Sequence, residues 1–166
     1  MAINEAMLAE MQHEAVSTRK TLERIPEDKF SWKPHEKSMT LGRLAGHTAE
    51  INAWMNHTIN KDVLDFSKEE YKSFEPKTTA ELLKFYDDTY NEAVEILKTA
   101  SDEQMMQMWT LRNGETIYMT MPKVAVLRGF IMSHLIHHRA QLGVYLRMLD
   151  IPVPSVYGPS ADEGNM

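Results

Sequence analysis

The segment from Val124 to Leu149 constrains the fold more than any other part of the chain. It is apolar nearly all round between Val124 and Ile136, with Arg128 and Ser133 the main polar breaks. A helix of that character is central to its domain or buried on two sides. Read at every third or fourth position, its stripe is Leu127, Ile131, His134, His138, Leu142, Tyr145 and Leu149. Residues at i and i+4 stack on one helix face about 6 Å apart. His134 and His138 are therefore aimed into a core, and a bound metal ion is the most economical reason for two imidazoles to be there.

Three other long segments have helical periodicity. Residues 4–24 place Met7, Met11, Ala15, Thr18 and Leu22 on one face. Ile25-Pro26 ends that helix, because the residue before a proline avoids helical angles. Residues 26–39 read as a loop whose Trp32 packs back onto the bundle. A second helix, capped by Ser38 or Thr40, runs to about residue 60 with Leu41, Leu44, His47, Ile51 and Trp54 on its core face. Residues 61–76 read as a charged loop with a short turn at 67–70. Thr78-Thr-Ala-Glu81 has capping-box spacing and opens a third helix, whose stripe is Leu83, Tyr86, Tyr90, Ala93 and Leu97. Ser101 starts one or two further helical turns. In residues 109–121, Asn113-Gly114 lies between two β-favouring runs, which signals a hairpin or a simple extended crossover. Pro122 sits in the first turn of the fourth helix, and Asp150 and Pro152 close it.

The expectation is a single domain over residues 1–166: an all-α four-helix bundle with a short hairpin near 109–121 as its one β feature. The connections are longer than tight turns, so the helix order need not be up-down-up-down. The second apolar side of the last helix suggests a homodimer interface.

Composition excludes several functions. The net charge of −6 comes with no basic stripe, which argues against nucleic acid. The chain has no cysteine, so a metal must be held by His, carboxylate or water. No signal-peptide pattern or membrane-length apolar run is present, so a cytoplasmic protein is expected. The 13 methionines read as adaptable core filler.

His47, His134 and His138 thus face the core from two helices. A third imidazole from a neighbouring helix completes three corners of a tetrahedron and leaves the fourth open, the pattern of a catalytic site. Leu135 follows the first His where a zincin-type peptidase has Glu. His137 points about 100° away from His138 and either packs or supports a ligand from behind. Glu50, one turn after His47, either orients a ligand, reaches the metal itself or is simply solvated. Arg139 and Gln141 either bind an anionic substrate or cap the bundle. His13, His35 and His57 have no partner at ligand spacing.

Two stretches carry a family resemblance. The run His134-Leu-Ile-His-His-Arg-Ala-Gln-Leu-Gly-Val-Tyr-Leu-Arg147, followed by Ile151-Pro-Val-Pro-Ser-Val-Tyr-Gly-Pro-Ser160, resembles the C-terminal end of the DinB-like, damage-inducible family in the DinB/YfiT-like superfamily. Leu22-Glu-Arg-Ile-Pro26 and the segment from Phe30 to His47 resemble its first-helix end, loop and second helix. Ala140 stands where many members have glycine. The resemblance implies a four-helix bundle, often dimeric, with Ni2+ or Zn2+ on His47, His134 and His138. It also implies, for some relatives, use of a low-molecular-weight thiol for S-transfer or isomerisation. Three neutral ligands leave an ion its full charge, which would deprotonate a bound thiol or acidify bound water. Three readings follow: a metal-dependent thiol transferase or hydrolase, a non-catalytic stress-response bundle acting through dimerisation or partner binding, and a metal-free bundle whose histidines merely pack.

Overall fold

The computed structural model of the chain describes residues 2–164. Helix α1 spans Ile3–Glu23 and buries Met7, Met11, Ala15, Thr18 and Leu22, the expected stripe. A single 3-10 turn, Glu27–Lys29, follows the Ile25-Pro26 stop. Thr40 caps α2, Leu41–Glu50, by accepting from the Arg43 N–H at 3.2 Å. The second helix is not continuous: a 3-10 turn at Ile51–Ala53 separates α2 from α3, Trp54–Ile59. Thr78 caps α4, Thr79–Thr99, and Ser101 caps the short α5, Asp102–Met106. The buried face of α4 is Leu82, Tyr86, Thr89, Ala93 and Leu97. At the start of that helix Leu82, not the expected Leu83, turns fully inward.

The all-α expectation is overturned. Strands β1, Val63–Asp65, β2, Met108–Asn113, and β3, Thr116–Pro122, form a mixed sheet in the order β1-β2-β3. The β2–β3 hairpin lies where Asn113-Gly114 signalled one, with Gly114 and Glu115 connecting the paired Asn113 and Thr116. Gly114 has φ +57, a left-handed conformation that glycine adopts without steric cost. Trp109 and Leu111 alternate inward and, with Leu64 and Val126, make the sheet its own small core. β1 lay hidden in the charged loop because a three-residue strand has too little alternation to stand out. It exists because it pairs in parallel with β2. Asp65 locks this joint. Its carboxyl is held at about 2 by bonds from the Ser67 hydroxyl and the Gly114 N–H, aided by the Arg112 guanidinium.

The last helix also departs from regularity. It begins with α6, Lys123–Ala125, passes through a π-helical stretch, Val126–Met132, and ends as α7, Ser133–Met148. The Ser133 N–H and hydroxyl both reach the Arg128 carbonyl, five residues back. Such π segments widen a helix turn and occur often at functional sites. Among the long helices, α1 packs on α4, α4 on α2, α2 on α7 and α7 on α1. Helices α1 and α2, consecutive in sequence, are therefore diagonal, which is why the connection between them is long. Two apolar clusters fill the bundle. One is built around Ile51, Met55 and Ile131, the other around Leu44, Tyr86 and Leu142. Trp32 packs edge-on against Tyr145. No helix among the described residues is long and apolar enough to cross a membrane.

Candidate metal centre

His47 comes from α2, and His134 and His138 from α7, on the faces where these two helices meet. The three are brought together as their spacing implied. Each offers a ring nitrogen, and the three nitrogens lie within 4.8 Å of one another. Ring centroids are 5.1 Å apart for His47–His134, 4.7 Å for His47–His138 and 4.5 Å for His134–His138. His138 is buried and the other two are half-buried.

The outer nitrogens decide the chemistry. His47 Nδ1 lies 3.1 Å from Glu50 Oε2, and His138 Nδ1 lies 2.7 Å from Gln141 Oε1. The Phe130 carbonyl acts on the His134 ring only by opposing the fall in its pKa. An acceptor at the outer nitrogen fixes the ring proton there and leaves Nε2 as a bare lone pair. Yet His134 Nε2 and His138 Nε2 are only 2.8 Å apart. At that distance one neutral ring can donate an Nε2 proton to the other, whereas with the protons on the outer nitrogens the facing lone pairs call for a cation between them. Tetrahedral nitrogens on an ion at about 2.1 Å are themselves about 3.4 Å apart, so a small divalent cation fits with little adjustment. A second proton on either ring is disfavoured. Burial, reinforced by His138, His47 and His137, pushes His134 down to about 4. Burial also lowers His138, against the opposing pull of its bond to Gln141. These residues fit a divalent metal.

Glu50 is a functional residue whose role its sequence position left open. It is buried, 6% exposed, and saturated. Oε2 accepts from Tyr71 Oη at 2.7 Å and from Arg43 at 3.2 Å, in addition to His47, and Oε1 accepts from the Phe74 N–H. Burial pushes its pKa up, but the bonds from His47, Phe74 and Tyr71, with the Arg43 charge, outweigh that and hold it low. A Cβ at Gly46 would run into the Phe74 carbonyl oxygen, so glycine lets this loop lie directly on α2. Glu50 is thus at once the hydrogen-bond partner of His47 and the anchor of the 71–74 loop.

Arg139 takes neither role that its sequence position offered. It is 3% exposed and faces α1, away from the histidines. It pairs with Glu14 at 2.6 Å, donates to Ser17 and to Tyr157 Oη, and stands over the Tyr157 ring. That network holds the C-terminal strap onto the bundle. Of the remaining histidines, His13, His35 and His137 are exposed, while His57 packs edge-on against Trp54.

Comparison with known proteins agrees with this architecture. The DinB family model matches residues 1–165. The chain is 29% identical over 160 residues to the uncharacterised protein YrdA of Bacillus subtilis, covering 94% of this chain and 89% of that protein. Its fold is similar to that of a DinB-like protein, YjoA, from Bacillus subtilis, at TM-score 0.70 and 21% identity over 91% of this chain and 96% of the other. A DinB-like protein from Bacillus cereus is similar at TM-score 0.68 and 22% identity, over 92% and 97% of the two chains.

Proposed function

This chain belongs to the DinB family, and on that premise we propose that it is a metal-dependent enzyme built on His47, His134 and His138. The favoured reaction is transfer of a low-molecular-weight thiol onto an electrophile, or a related hydrolysis. One observation carries this reading: a ring nitrogen from each of His47, His134 and His138 converges within 4.8 Å, with Glu50 and Gln141 at the outer nitrogens of His47 and His138. An all-imidazole donor set suits Zn2+ or Ni2+. When bound, the ion supplies an undiminished positive charge that acidifies a thiol or water in the fourth position. The protein's own residues hold the geometry. Glu50 favours the His47 proton on Nδ1, and Gln141 does the same for His138. With no cysteine in the chain, a thiol nucleophile must arrive as a small molecule.

A homodimer and a cytoplasmic location belong to the same reading. Val144 and Met148, 59% and 56% exposed on α7, offer an apolar surface for a second copy. That surface also favours the alternative, a non-catalytic stress-response bundle whose ion is structural and whose work is dimerisation or partner binding.

Elemental analysis of protein purified without a histidine tag or nickel resin tests the centre. The expected result is one Zn or Ni per chain, lost in His138→Ala. Metal-free wild type, or unchanged metal content in the variant, overturns it. A cobalt-loaded form whose visible spectrum responds to added thiol supports the enzyme. Melting of the bundle on chelation, with no response to thiol, supports the structural alternative.

A further inference from the structure

A cavity of about 550 Å³ lies on the far side of Glu50 from the three histidines. Its volume is that of a small-molecule site. The walls are apolar and mostly flat rings: Trp54 and Ala53 from the second helical segment, Leu64 from β1, Phe66 and Phe74 from the loop, and Phe85 from α4. Phe74 and Phe85 stack at 3.9 Å between centroids, and Trp54 meets Phe66 edge-on at 6.2 Å. Aromatic rings arranged this way favour another planar ring by stacking and edge contacts.

The charged groups around the cavity are already matched. Glu69 pairs with Lys61 at 2.7 Å, Glu70 with Lys72 at 3.7 Å, and Glu50 with Arg43 at 3.2 Å. The His57 ring also lines the cavity, with Nδ1 3.6 Å from Glu69 and without a hydrogen-bond partner, so the polar group left over in the wall is a ring nitrogen rather than a carboxylate or an ammonium. The outer wall is also built in rather than loosely draped. Tyr71 and Phe74 are both bonded to the Glu50 carboxylate, and the loop rests on Gly46.

We infer that this cavity is a binding site for an uncharged, planar aromatic small molecule, coupled to the metal centre through Glu50. The coupling rests on the metal reading proposed above; the cavity itself does not. A metal on His47 Nε2 fixes the proton on Nδ1, so the Glu50 carboxylate receives a full bond from a polarised ring. That carboxylate in turn fixes Tyr71 and Phe74, the cavity's outer wall. Metal and aromatic ligand therefore strengthen each other, and by linkage each does so by the same factor.

N-phenyl-1-naphthylamine, uncharged at neutral pH and fluorescent in apolar surroundings, is the probe. The metal-free protein should bind it saturably. Its affinity should fall at least about tenfold in Ala53→Phe, which fills the cavity, and in Ser73→Trp, which blocks an exposed part of the wall. The sulfonated, anionic analogue should bind wild type about tenfold more weakly than the probe, its charge finding no partner. Circular dichroism verifies that both variants fold, and their Zn2+ affinity should match wild type. In the zinc-loaded protein the probe should bind about threefold tighter or more, and Zn2+ should bind tighter by that same factor when probe is present. Absence of saturable probe binding, or wild-type binding in both variants, overturns the site. Equal probe affinity with and without zinc overturns the coupling. Failure to bind zinc at all removes the coupling and the proposed function together, while probe binding to the metal-free protein still decides the cavity.

Discussion

His138 and Arg139 are neighbours on α7, both are buried, and they belong to opposite kinds of polar cluster. Arg139 points at α1, where Glu14, Ser17 and Tyr157 satisfy its charge and its donors. That cluster is complete in itself: a cation, an anion and hydroxyls in mutual reach. His138 points at α2, where it meets two more groups of its own kind. The outer nitrogens of His47 and His138 are satisfied, and an inner nitrogen from each of the three rings converges on one point. A buried polar cluster that closes on itself is built to hold the fold. One that converges like groups on a point is not closed in that way. One helix serves both because successive residues lie about 100° apart around its axis.

The largest expected break is on the Arg139 side. Arg139→Met leaves Glu14 buried without its cation and should cost about 3–5 kcal/mol in urea unfolding. Adding Glu14→Leu should recover most of that loss, since an apolar pair can replace a buried ion pair. Metal content should stay at wild type in the double variant; if it falls with stability, the two clusters are not separate.

A smaller and opposite pattern is expected at Glu50. Glu50→Gln should weaken Zn2+ about 10- to 100-fold, the usual cost of removing a ligand's orienting partner. Competition against a chelator measures it, and unchanged affinity would show that His47 needs no orientation.

The smallest effect is in pH. His134 has a pKa of about 4 in the folded protein against an ordinary value of 6.5. Between those values the unfolded chain binds more protons than the folded one, so metal-free stability should decline as pH falls from 6.5 toward 4 and be fully present above 6.5. Urea midpoints of wild type and His134→Phe across that window give the comparison. The variant should show a shallower slope, and parallel slopes would mean that His134 is protonated alike in both states.

Much of the centre was legible along the chain, because helical periodicity converts spacing into direction. His134 and His138 at i and i+4, among Leu127, Ile131 and Leu142, could face only inward if that segment was helical. His47 followed from the stripe of Leu41, Leu44 and Ile51. Helix caps at Thr40, Thr78 and Ser101 are equally local, each satisfied by a residue three positions on. The hairpin was marked by Asn113-Gly114 for the same reason.

What the tertiary structure alone decided is everything that depends on a partner distant in sequence. Glu50 on an isolated helix is indistinguishable from a solvated carboxylate; the crossing of the 71–74 loop over Gly46 buries it and makes it the partner of His47. Arg139 beside two inward-facing histidines resembles a substrate clamp until α1 supplies Glu14 and the strap supplies Tyr157. β1 is a strand only because β2 lies alongside it, and that sheet, unforeseen as a whole, changes the fold from a plain bundle. The aromatic cavity belongs to no single segment, since its walls come from two helices, a strand and a loop. The amino-acid sequence by itself determined which groups face inward, through the geometry of single helices. Burial, pairing and the enclosure of space are properties of segments meeting, so they exist only once the chain has folded.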